Sequence, residues 1–575
     1  MLRTATLLVG LVMLALAPVQ AQTVRVTDDI TSNTTWTSAN TYLLDGLIFV
    51  DPGATLEIEA GTVIKGVEAD NITTGDGASA LIVRRGARIE ATGTASDPII
   101  FTAEIDDVND AFDTDERDRE LWGGVIILGR APTNANDGNG NRIDVQIEGI
   151  EFDPATQIGE EAQYGGDDPM DDSGIFRYVS IRHGGFSISG VEGDEINGLT
   201  LGAVGAGTTI EYVEVYANFD DCFEWFGGTV ETKYLAGLFC GDDTFDYDQG
   251  YNGKGQFWLS LQSADVAGRG GEHDGGDNDL GGEGSNPFAI PTISNVTFIG
   301  AGVNATPSND DANNPAVFFR DNAGGKYYNS VYTDFPAQAL RIEDLASGAD
   351  SRERLENGDL VIANSLFSDF GAGTTLESLI QEGSQRTPAS VVAPILVAAG
   401  NAVVTSDVIV SASRTADEGF NPRPVNDAAS GASFSADPLG DDFFHEVGYR
   451  GAFDPVNPVW LTGWSVLDTG DYLSPAAVTV SNGSTPTVAE NALRALYPNP
   501  ATSLVTLEFD LAVSGPVRIA AYDLLGREVA VLADGPMAEG EASLALDARQ
   551  MPAGTYVLRV SGEGFEATRK LTVIR

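Results

Sequence analysis

Short runs of alternating apolar and polar residues recur along most of the chain, and Gly, Asn, Asp or Thr residues separate them. The stretch GATLEIEAGT at residues 53–62 returns as GARIEATGT at residues 86–94. Alternation with a period of two indicates strands, whereas the 3.6-residue period of helices is almost absent. Many short strands with recurring spacings of about 20 to 35 residues predict a solenoid.

We expect this solenoid to be a right-handed parallel β-helix, the all-β fold in which inward side chains stack about 4.8 Å apart on neighbouring coils. Two-residue Asn-Gly or Asp-Gly loops are scarce between the apolar runs, which argues against hairpin-linked sandwiches. A propeller or a chain of sandwiches remains the alternative. The aromatic-rich stretch at residues 448–468 is expected to cap the open end of the β-helix, where its core would otherwise face water.

The region from residue 496 to the end has a different pattern, in which Gly, Pro and Asp turns separate short strands and predict a small antiparallel β-sandwich. It resembles the type A C-terminal sorting domain of the type IX secretion system of Bacteroidetes. That resemblance implies transport by the type IX secretion machinery, followed by release or by attachment to the cell surface. The motif residues that carry it are Tyr497, Pro498, Asn499, Pro500, Gly526, Gly554, Tyr556 and Lys570.

The chain opens with an arginine, an apolar run and a small-residue site that ends at Ala21, the pattern of a cleaved signal peptide. No later run reaches the roughly 18 apolar residues of a membrane helix, so we expect no transmembrane segment in the mature form. Residues 472–495 are rich in Ser, Thr, Pro and Val, like a linker. We therefore divide the chain into a signal peptide (1–21), a β-helix passenger (22–471), this linker and a sorting domain (496–575).

The passenger also resembles a known group of proteins. Segments such as LWGGVIILGRAPTN, EINGLTLGAVGAGTTIEYVEV and GKYYNSVYTDF are similar to those of secreted β-helical proteins that commonly carry the same sorting domain. The similarity covers roughly residues 24 to 470. It implies a fold and a location outside the cell, but no particular reaction.

Acidic residues dominate the composition, with 85 Asp and Glu against 32 Lys and Arg and a formal net charge of −53. The sorting region contains ten acids and seven bases, so about −50 of the charge lies before it. Nucleic acid is excluded as a partner because it requires clustered basic residues. Self-repulsion on this scale opposes a compact state unless salt or bound cations screen it, so we expect a saline habitat, calcium sites or both.

Two similar acidic segments, FDDCFEWFGG from residue 219 and CGDDTFDYDQG from residue 240, align at a spacing of 22 residues. That spacing is about one coil, so Phe223 should stack on Phe245 and the acids should lie above one another. Three interpretations remain open: the acids bind calcium, share protons like a hydrolase dyad, or cap turns. The candidate calcium ligands are Asp220, Asp221, Glu224, Asp242, Asp243, Asp246 and Asp248.

Two further features leave the chemistry open. Cys222 and Cys240 are separated by 18 residues, which does not fit the 22-residue register, so a disulfide would need a bend that the repeat does not predict. The glycine-rich acidic segment at residues 268–279 lacks a repeated calcium motif, and we expect a flexible loop there.

These patterns favour an exported surface or extracellular protein that is structural or adhesive and binds calcium or a surface polysaccharide. The alternative is a polysaccharide lyase or glycoside hydrolase, which rests on analogy with other β-helix proteins. The scarcity of basic residues argues against acidic sugars as substrates.

Overall fold

The structure, a computed structural model, describes residues 22–110, 113–150, 160–187, 195–276, 280–308, 315–382, 388–416, 418–474, 492–497, 501, 504–511, 515–522, 527–537, 540–562 and 565–573. Ala21, Pro498, Asn499, Pro500 and Gly526, which we assigned to the signal cleavage site and the sorting motif, lie outside these residues. Within the described part, no helix is long and apolar enough to cross a membrane.

Strands make up most of the N-terminal body. In chain order they are β1 (Gln22–Val26), β2 (Thr34–Trp36), β3 (Asn40–Leu44), β4 (Leu47–Val50), β5 (Thr55–Ile58), β6 (Val63–Gly66), β7 (Ala80–Val83), β8 (Arg88–Thr92), β9 (Ile99–Ala103), β10 (Val125–Leu128), β11 (Val145–Gln146), β12 (Gln163–Tyr164), β13 (Gly174–Arg182), β14 (Leu199–Gly202), β15 (Thr209–Tyr216), β16 (Phe223–Phe226), β17 (Glu231–Leu238), β18 (Phe245–Asp248), β19 (Lys254–Leu261), β20 (Gly271–Asp274), β21 (Thr292–Ser294), β22 (Thr297–Ile299), β23 (Val317–Arg320), β24 (Gly325–Tyr328), β25 (Val331–Phe335), β26 (Leu340–Ile342), β27 (Leu360–Ala363), β28 (Leu366–Phe370), β29 (Ile380–Gln381), β30 (Ala402–Val403), β31 (Ile409–Ser411) and β32 (Asn421–Pro424).

The described helices are short. They are α1 (Ser351–Asn357), α2 (Ala389–Ala398) and α3 (Val466–Thr469), with 3-10 turns at Ala69–Asn71, Glu160–Ala162, Asp437–Leu439 and Ala548–Gln550. The C-terminal region adds β33 (Ala492–Tyr497), β34 (Leu504–Leu511), β35 (Gly515–Tyr522), β36 (Glu528–Met537), β37 (Gly540–Asp547), β38 (Gly554–Gly562) and β39 (Phe565–Val573).

Parallel pairing winds the body into a right-handed β-helix with three sheets, which confirms the predicted fold. Sheet A runs from β2 through β5 and β8 to β27, and sheet B from β1 through β3, β6 and β9 to β30. Sheet C is ten-stranded, in the order β4, β7, β10, β14, β16, β18, β20, β23, β26 and β29. Each coil contributes a segment to sheets A, B and C in turn. Strands β13, β15, β17 and β19 contribute to both A and B.

A ladder of residues with positive φ forms the corner between sheets A and B. Three tyrosines and a phenylalanine occupy it first, and their rings stack with centroids 4.4, 4.3 and 5.0 Å apart. The left-handed conformation costs an ordinary residue about 1–2 kcal/mol, which the stacking offsets. Asn, which tolerates this conformation, occupies the later coils. In chain order the residues are Tyr178, Tyr212, Tyr234, Phe257, Asn295, Asn329 and Asn364.

The interior of the β-helix is apolar, and helix α2 closes its C-terminal end. Val392 and Leu396 of α2 are buried in the same hydrophobic cluster as the strands of the coils. We expected residues 448–468 to provide this cap, and that expectation is wrong. Trp460 of that stretch packs edge-on against Tyr212 and Tyr234 at the A/B corner instead. The stretch covers outward aromatic residues along the side of the coils, a need that the strand pattern alone did not reveal.

The C-terminal strands form two antiparallel sheets, one of β33, β34 and β37 and one of β36, β35, β38 and β39. Side chains from both sheets share one hydrophobic cluster, as in the predicted sandwich. Gly554 begins β38, and the buried Tyr556 donates a hydrogen bond of 2.6 Å to the carbonyl of Pro552. Tyr497 ends β33, and Lys570 is exposed on β39.

Candidate cation site on sheet C

The two acidic segments lie on neighbouring coils, which confirms the 22-residue register. Strand β16 pairs with β18 so that Phe223 faces Phe245 and Glu224 faces Asp246. The two phenylalanine rings stack inside the coil with centroids 5.4 Å apart. Because side chains alternate along a strand, the acids between these aromatic residues point to the outer face of sheet C.

Outward-facing polar residues continue this row on both sides. Thr200 of β14 pairs with Glu224, and Glu272 of β20 pairs with Asp246. The expectation of a flexible loop at residues 268–279 is therefore wrong for Gly271–Asp274, which pair with the strands on both sides. Glu224 is only 6 % exposed because residues of the segment between β10 and β13, including Glu148, cover this part of the sheet. The outer row is therefore partly shielded from water.

A second row lies at the corner just before sheet C, where side-chain oxygens accept backbone N–H groups from the next coil. The amide oxygen of Asn197 accepts the N–H of Asp221 at 3.2 Å, and Oδ1 of Asp221 accepts the N–H of Asp243 at 2.9 Å. Oδ1 of Asp243 in turn accepts the N–H of Arg269. Capping is thus present, but it joins successive coils and is not confined to single turns.

Glycine at position 268 lets the chain pass close beneath these acids. A Cβ atom at Gly268 would overlap Oδ1 of both Asp242 and Asp243. The backbone of the next coil can approach the two carboxylates only because this position has no side chain.

Five of the seven candidate residues form two overlapping groups of carboxylates. One oxygen each from Asp220, Asp221 and Asp242 lies within 4.8 Å of the others. The same holds for Asp221, Glu224 and Asp246. The outer row and the corner row together form one band of acids, which we call the carboxylate row. These five residues are its acidic end, and Asp221 belongs to both groups.

Burial and mutual repulsion dominate the electrostatics of the acidic end. Burial, followed by the carboxylates of Asp246 and Asp220, raises the pKa of Asp221 well above its usual range. Burial and then Glu148 do the same to the pKa values of Glu224 and Asp220. Close carboxylates that are also desolvated favour protons or a bound cation over free negative charge.

The other end of the row contains arginines. Nη1 of Arg269 lies 3.1 Å from Asp243 and 2.6 Å from Glu272, and both Arg269 and Asp243 are almost fully buried. Arg320 of β23 donates hydrogen bonds of 2.6 and 2.8 Å to the two carboxylate oxygens of Asp274. We call these five residues the arginine end. Here the guanidinium groups offset part of the repulsion between the acids, although burial, Asp243 and Asp274 still raise the pKa of Glu272 to about 9.

Asp248 and Asp243 are the two candidates outside the close groups. Asp243 belongs to the arginine end, and Asp248 accepts a hydrogen bond from the backbone N–H of Gln249. Sequence reasoning missed Glu148, Asn197 and Arg320, which come from other coils or from the covering segment. No local spacing relates them to the acidic repeat.

Oxygen donors at the acidic end fit a hard cation such as calcium, which takes six to eight oxygen ligands. The buried Oδ1 of Asp246 accepts no hydrogen bond from the described residues. Such an unsatisfied buried oxygen is costly, and a cation would satisfy it. Asp220, Asp221, Glu224, Asp242 and Asp246 are the residues that would hold the ion.

A disulfide between Cys222 and Cys240 borders the acidic end, with Cα atoms 5.7 Å apart. Cys222 immediately follows Asp221, while Cys240 follows Phe239, whose positive φ turns the chain after β17. Ala217, 22 residues earlier, has the same positive φ, so the turn repeats with the coil and the two cysteines occupy different positions of neighbouring turns. The bond joins two successive coils beside the carboxylates.

Comparison with protein families gives two matches. A model described as a pectate-lyase-like β-helix domain matches residues 28–406, and a model of the secretion system C-terminal sorting domain matches residues 495–574. No curated protein matches the chain.

Proposed function

Since the chain belongs to the pectate-lyase-like β-helix family and carries a type IX sorting domain that sends it to the cell surface or beyond, we propose that it is a structural or adhesive protein that binds calcium. Calcium would bind at the acidic end of the carboxylate row. The secretion machinery is the partner implied by the sorting domain.

The observation that carries this proposal is the pair of overlapping carboxylate groups that share Asp221. Calcium would stabilise the folded chain because an unfolded chain does not hold these five residues together. A ligand present at 100 times its dissociation constant stabilises a protein by about 2.7 kcal/mol. Extracellular calcium modules bind in the range of about 0.1 to 1 mM, so millimolar calcium is the relevant condition.

The test is thermal unfolding of the secreted protein in a chelator and in millimolar calcium. We expect calcium to raise the melting temperature of the wild type and to have a much smaller effect on Asp221→Asn. Asp70→Asn is the matched control, because Asp70 is exposed on a turn far along the chain from this row. Equal melting temperatures with and without calcium, together with no binding in calorimetry, would remove the calcium proposal.

A cavity of about 340 Å³ supports a second function, the binding of neutral polysaccharide. Tyr449, Asn426, Asp427 and Asp454 are among its lining residues. An aromatic ring beside a few polar groups suits a sugar, which has apolar faces and hydroxyl edges. We expect Tyr449→Ala to lose binding to a neutral polysaccharide in a pull-down panel, whereas Tyr449→Phe, which keeps the ring, should retain it.

The same panel tests the enzymatic alternative. The wild type, Asp221→Ala and Asp243→Ala are incubated with each polysaccharide, with and without calcium, and the products are analysed for new chain ends. The adhesive proposal predicts binding without depolymerisation. Depolymerisation that disappears in either variant would instead identify a lyase or a hydrolase that uses this row.

A further inference from the structure

A second group of carboxylates lies farther along sheet C, where the chain that follows β20 returns to the sheet. Glu283 comes from this connection, Asp321 follows β23, and Glu343 follows β26. One oxygen from each lies within 4.8 Å of the others. None of these residues belongs to the repeat that suggested the first site.

The backbone holds Asp321 and Glu343 in place on successive coils. The N–H of Glu343 donates to the carbonyl of Phe319 at 2.8 Å, which continues the pairing of β26 with β23. Asp321 and Asn322 both have positive φ, so the chain turns sharply at this point. The backbone N–H groups of Asp321 and Asn322 partly oppose the rise in the pKa of Glu343.

Asn322 supplies an observation that is independent of the acids. Its side chain is 1 % exposed, and its amide nitrogen donates a 2.7 Å hydrogen bond to the carbonyl of Glu283. Its amide oxygen is buried and accepts no hydrogen bond from any described residue. Asn322 directly follows Asp321 and bonds to the backbone of Glu283, and a buried amide oxygen at such a position requires a positively charged or hydrogen-bonding partner.

The carboxylate of Glu343 also has a buried oxygen without a hydrogen-bond partner. Its Oε2 atom is buried and without a hydrogen bond in the described part of the chain. Burial, Asp321 and Glu283 raise the pKa of Glu343 to about 7, against the opposing effect of the two backbone N–H groups. Arg320 lies 3.9 Å from Asp321, but its guanidinium is already bound to Asp274.

We propose that Glu283, Asp321, Glu343 and the amide oxygen of Asn322 form a second divalent-cation site, which takes calcium and ties the connection after β20 to sheet C. Three carboxylates and an amide oxygen are donors that calcium prefers, and water would complete its six to eight ligands. The ion would satisfy both unpartnered oxygens. It would also join three chain segments through their side chains, in addition to the bond from Asn322 to Glu283.

Equilibrium dialysis of the full secreted protein against calcium alone tests this site. We expect Glu343→Gln to bind about one calcium ion fewer per chain, or to bind it more than about tenfold more weakly, since changing even an outer partner of a metal ligand costs 10- to 100-fold. Glu377→Gln is the control because Glu377 is exposed. Wild-type stoichiometry and affinity in Glu343→Gln would overturn the proposal.

Asn322→Asp keeps the proposal testable if Glu343→Gln does not fold. A fourth carboxylate should weaken the fold in a chelator, and calcium should more than recover this loss because ligand charge strengthens calcium sites. A loss of stability that is the same with and without calcium would contradict a cation site.

Asp221→Asn separates this site from the one on the acidic end. If both sites exist, Asp221→Asn and Glu343→Gln each remove a different ion, and the double variant removes both. If only the second exists, Asp221→Asn binds as much calcium as the wild type while Glu343→Gln does not. The failure of one proposal is therefore distinguishable from the failure of the other.

Discussion

The two ends of the carboxylate row on sheet C meet the same physical problem in different ways. At the arginine end, Arg269 and Arg320 lie within 3.1 Å of the acids that they neutralise. At the acidic end, Asp221 and Glu224 pack against further carboxylates and amides, and their pKa values are raised, as is that of Glu272 at the arginine end. A β-helix places equivalent residues of successive coils about 5 Å apart, so like charges that repeat with the coil must be neutralised or protonated.

Removal of an arginine should lower the stability most, because it leaves the acids of the arginine end without their positively charged partner. We expect Arg269→Gln to lower the free energy of unfolding by about 3–5 kcal/mol at pH 7, the cost of leaving buried charges unpaired. Urea denaturation measures it. Arg117→Gln is the control, since that side chain is 66 % exposed, and it should change stability by no more than about 0.5 kcal/mol. A loss as small as the control's would show that Arg269 is not needed for neutralisation.

Loss of the disulfide should have the second-largest effect on stability. It closes an 18-residue separation beside the acidic end, and a loop of that size is worth about 3 kcal/mol. We expect the double variant Cys222→Ala, Cys240→Ala to have a correspondingly lower urea midpoint. Reductant should lower the wild-type midpoint in the same way and leave the double variant unchanged. If reductant has no effect on the wild type, the bond does not stabilise this part of the fold.

Neutralising one acid at each end should give opposite signs. Asp274→Asn breaks charged hydrogen bonds to Arg320, and we expect it to cost about 1.5–3 kcal/mol. Burial and the neighbouring carboxylates favour the neutral form of Asp246, and Asp246→Asn makes that position neutral at every pH, so in a chelator at pH 7 it should add about 1 kcal/mol of stability. Urea denaturation of both variants under the same conditions measures the two changes in the free energy of unfolding. Destabilisation by both would mean that the two ends do not differ.

The pH dependence of stability tests the acidic end without any substitution there. Raised pKa values at the acidic end mean that the folded chain holds protons that the unfolded chain has lost above about pH 4. In a chelator, stability should therefore fall as pH rises from about 4 toward neutrality, by about 1.4 kcal/mol for each unit of raised pKa. Calcium at pH 7 should reduce this loss. Asp221→Asn should show a shallower slope, and a slope equal to that of the wild type would contradict the raised pKa.

Much of the fold could be predicted because a solenoid repeats its pattern locally. The spacing of the two acidic segments placed Phe223 on Phe245 and Glu224 beside Asp246, as the strand pairing has it. The position of the C-terminal sandwich followed from its own motifs. The position of Trp460 could not be predicted from the sequence. An aromatic residue can pack on the open end of a β-helix or along its side, and only the outward tyrosines of the A/B corner show that Trp460 lies along the side.

The candidate site was predictable only in part, because some of its residues lie inside the repeat and others lie outside it. Asp220 and Asp242 occupy matched positions of the repeat, so their proximity could be inferred from the sequence. Glu148, Arg320 and the group around Asn322 come from segments outside the repeat, and their contacts depend on loops of irregular length. The disulfide joins positions that are not equivalent in the repeat, so the 22-residue register could not reveal it, although the turn at Phe239 itself repeats the one at Ala217.

By itself, the sequence determined the strand periodicity, the coil register and the stacking of acids, because each depends on residues at regular spacing. It also determined the export route, through motifs that are local in the chain. Only the tertiary structure decided which acids meet arginines and which meet one another, since that depends on where distant segments cover sheet C. The difference between the acidic end and the arginine end therefore results from long-range packing, although both ends arise from one repeated pattern.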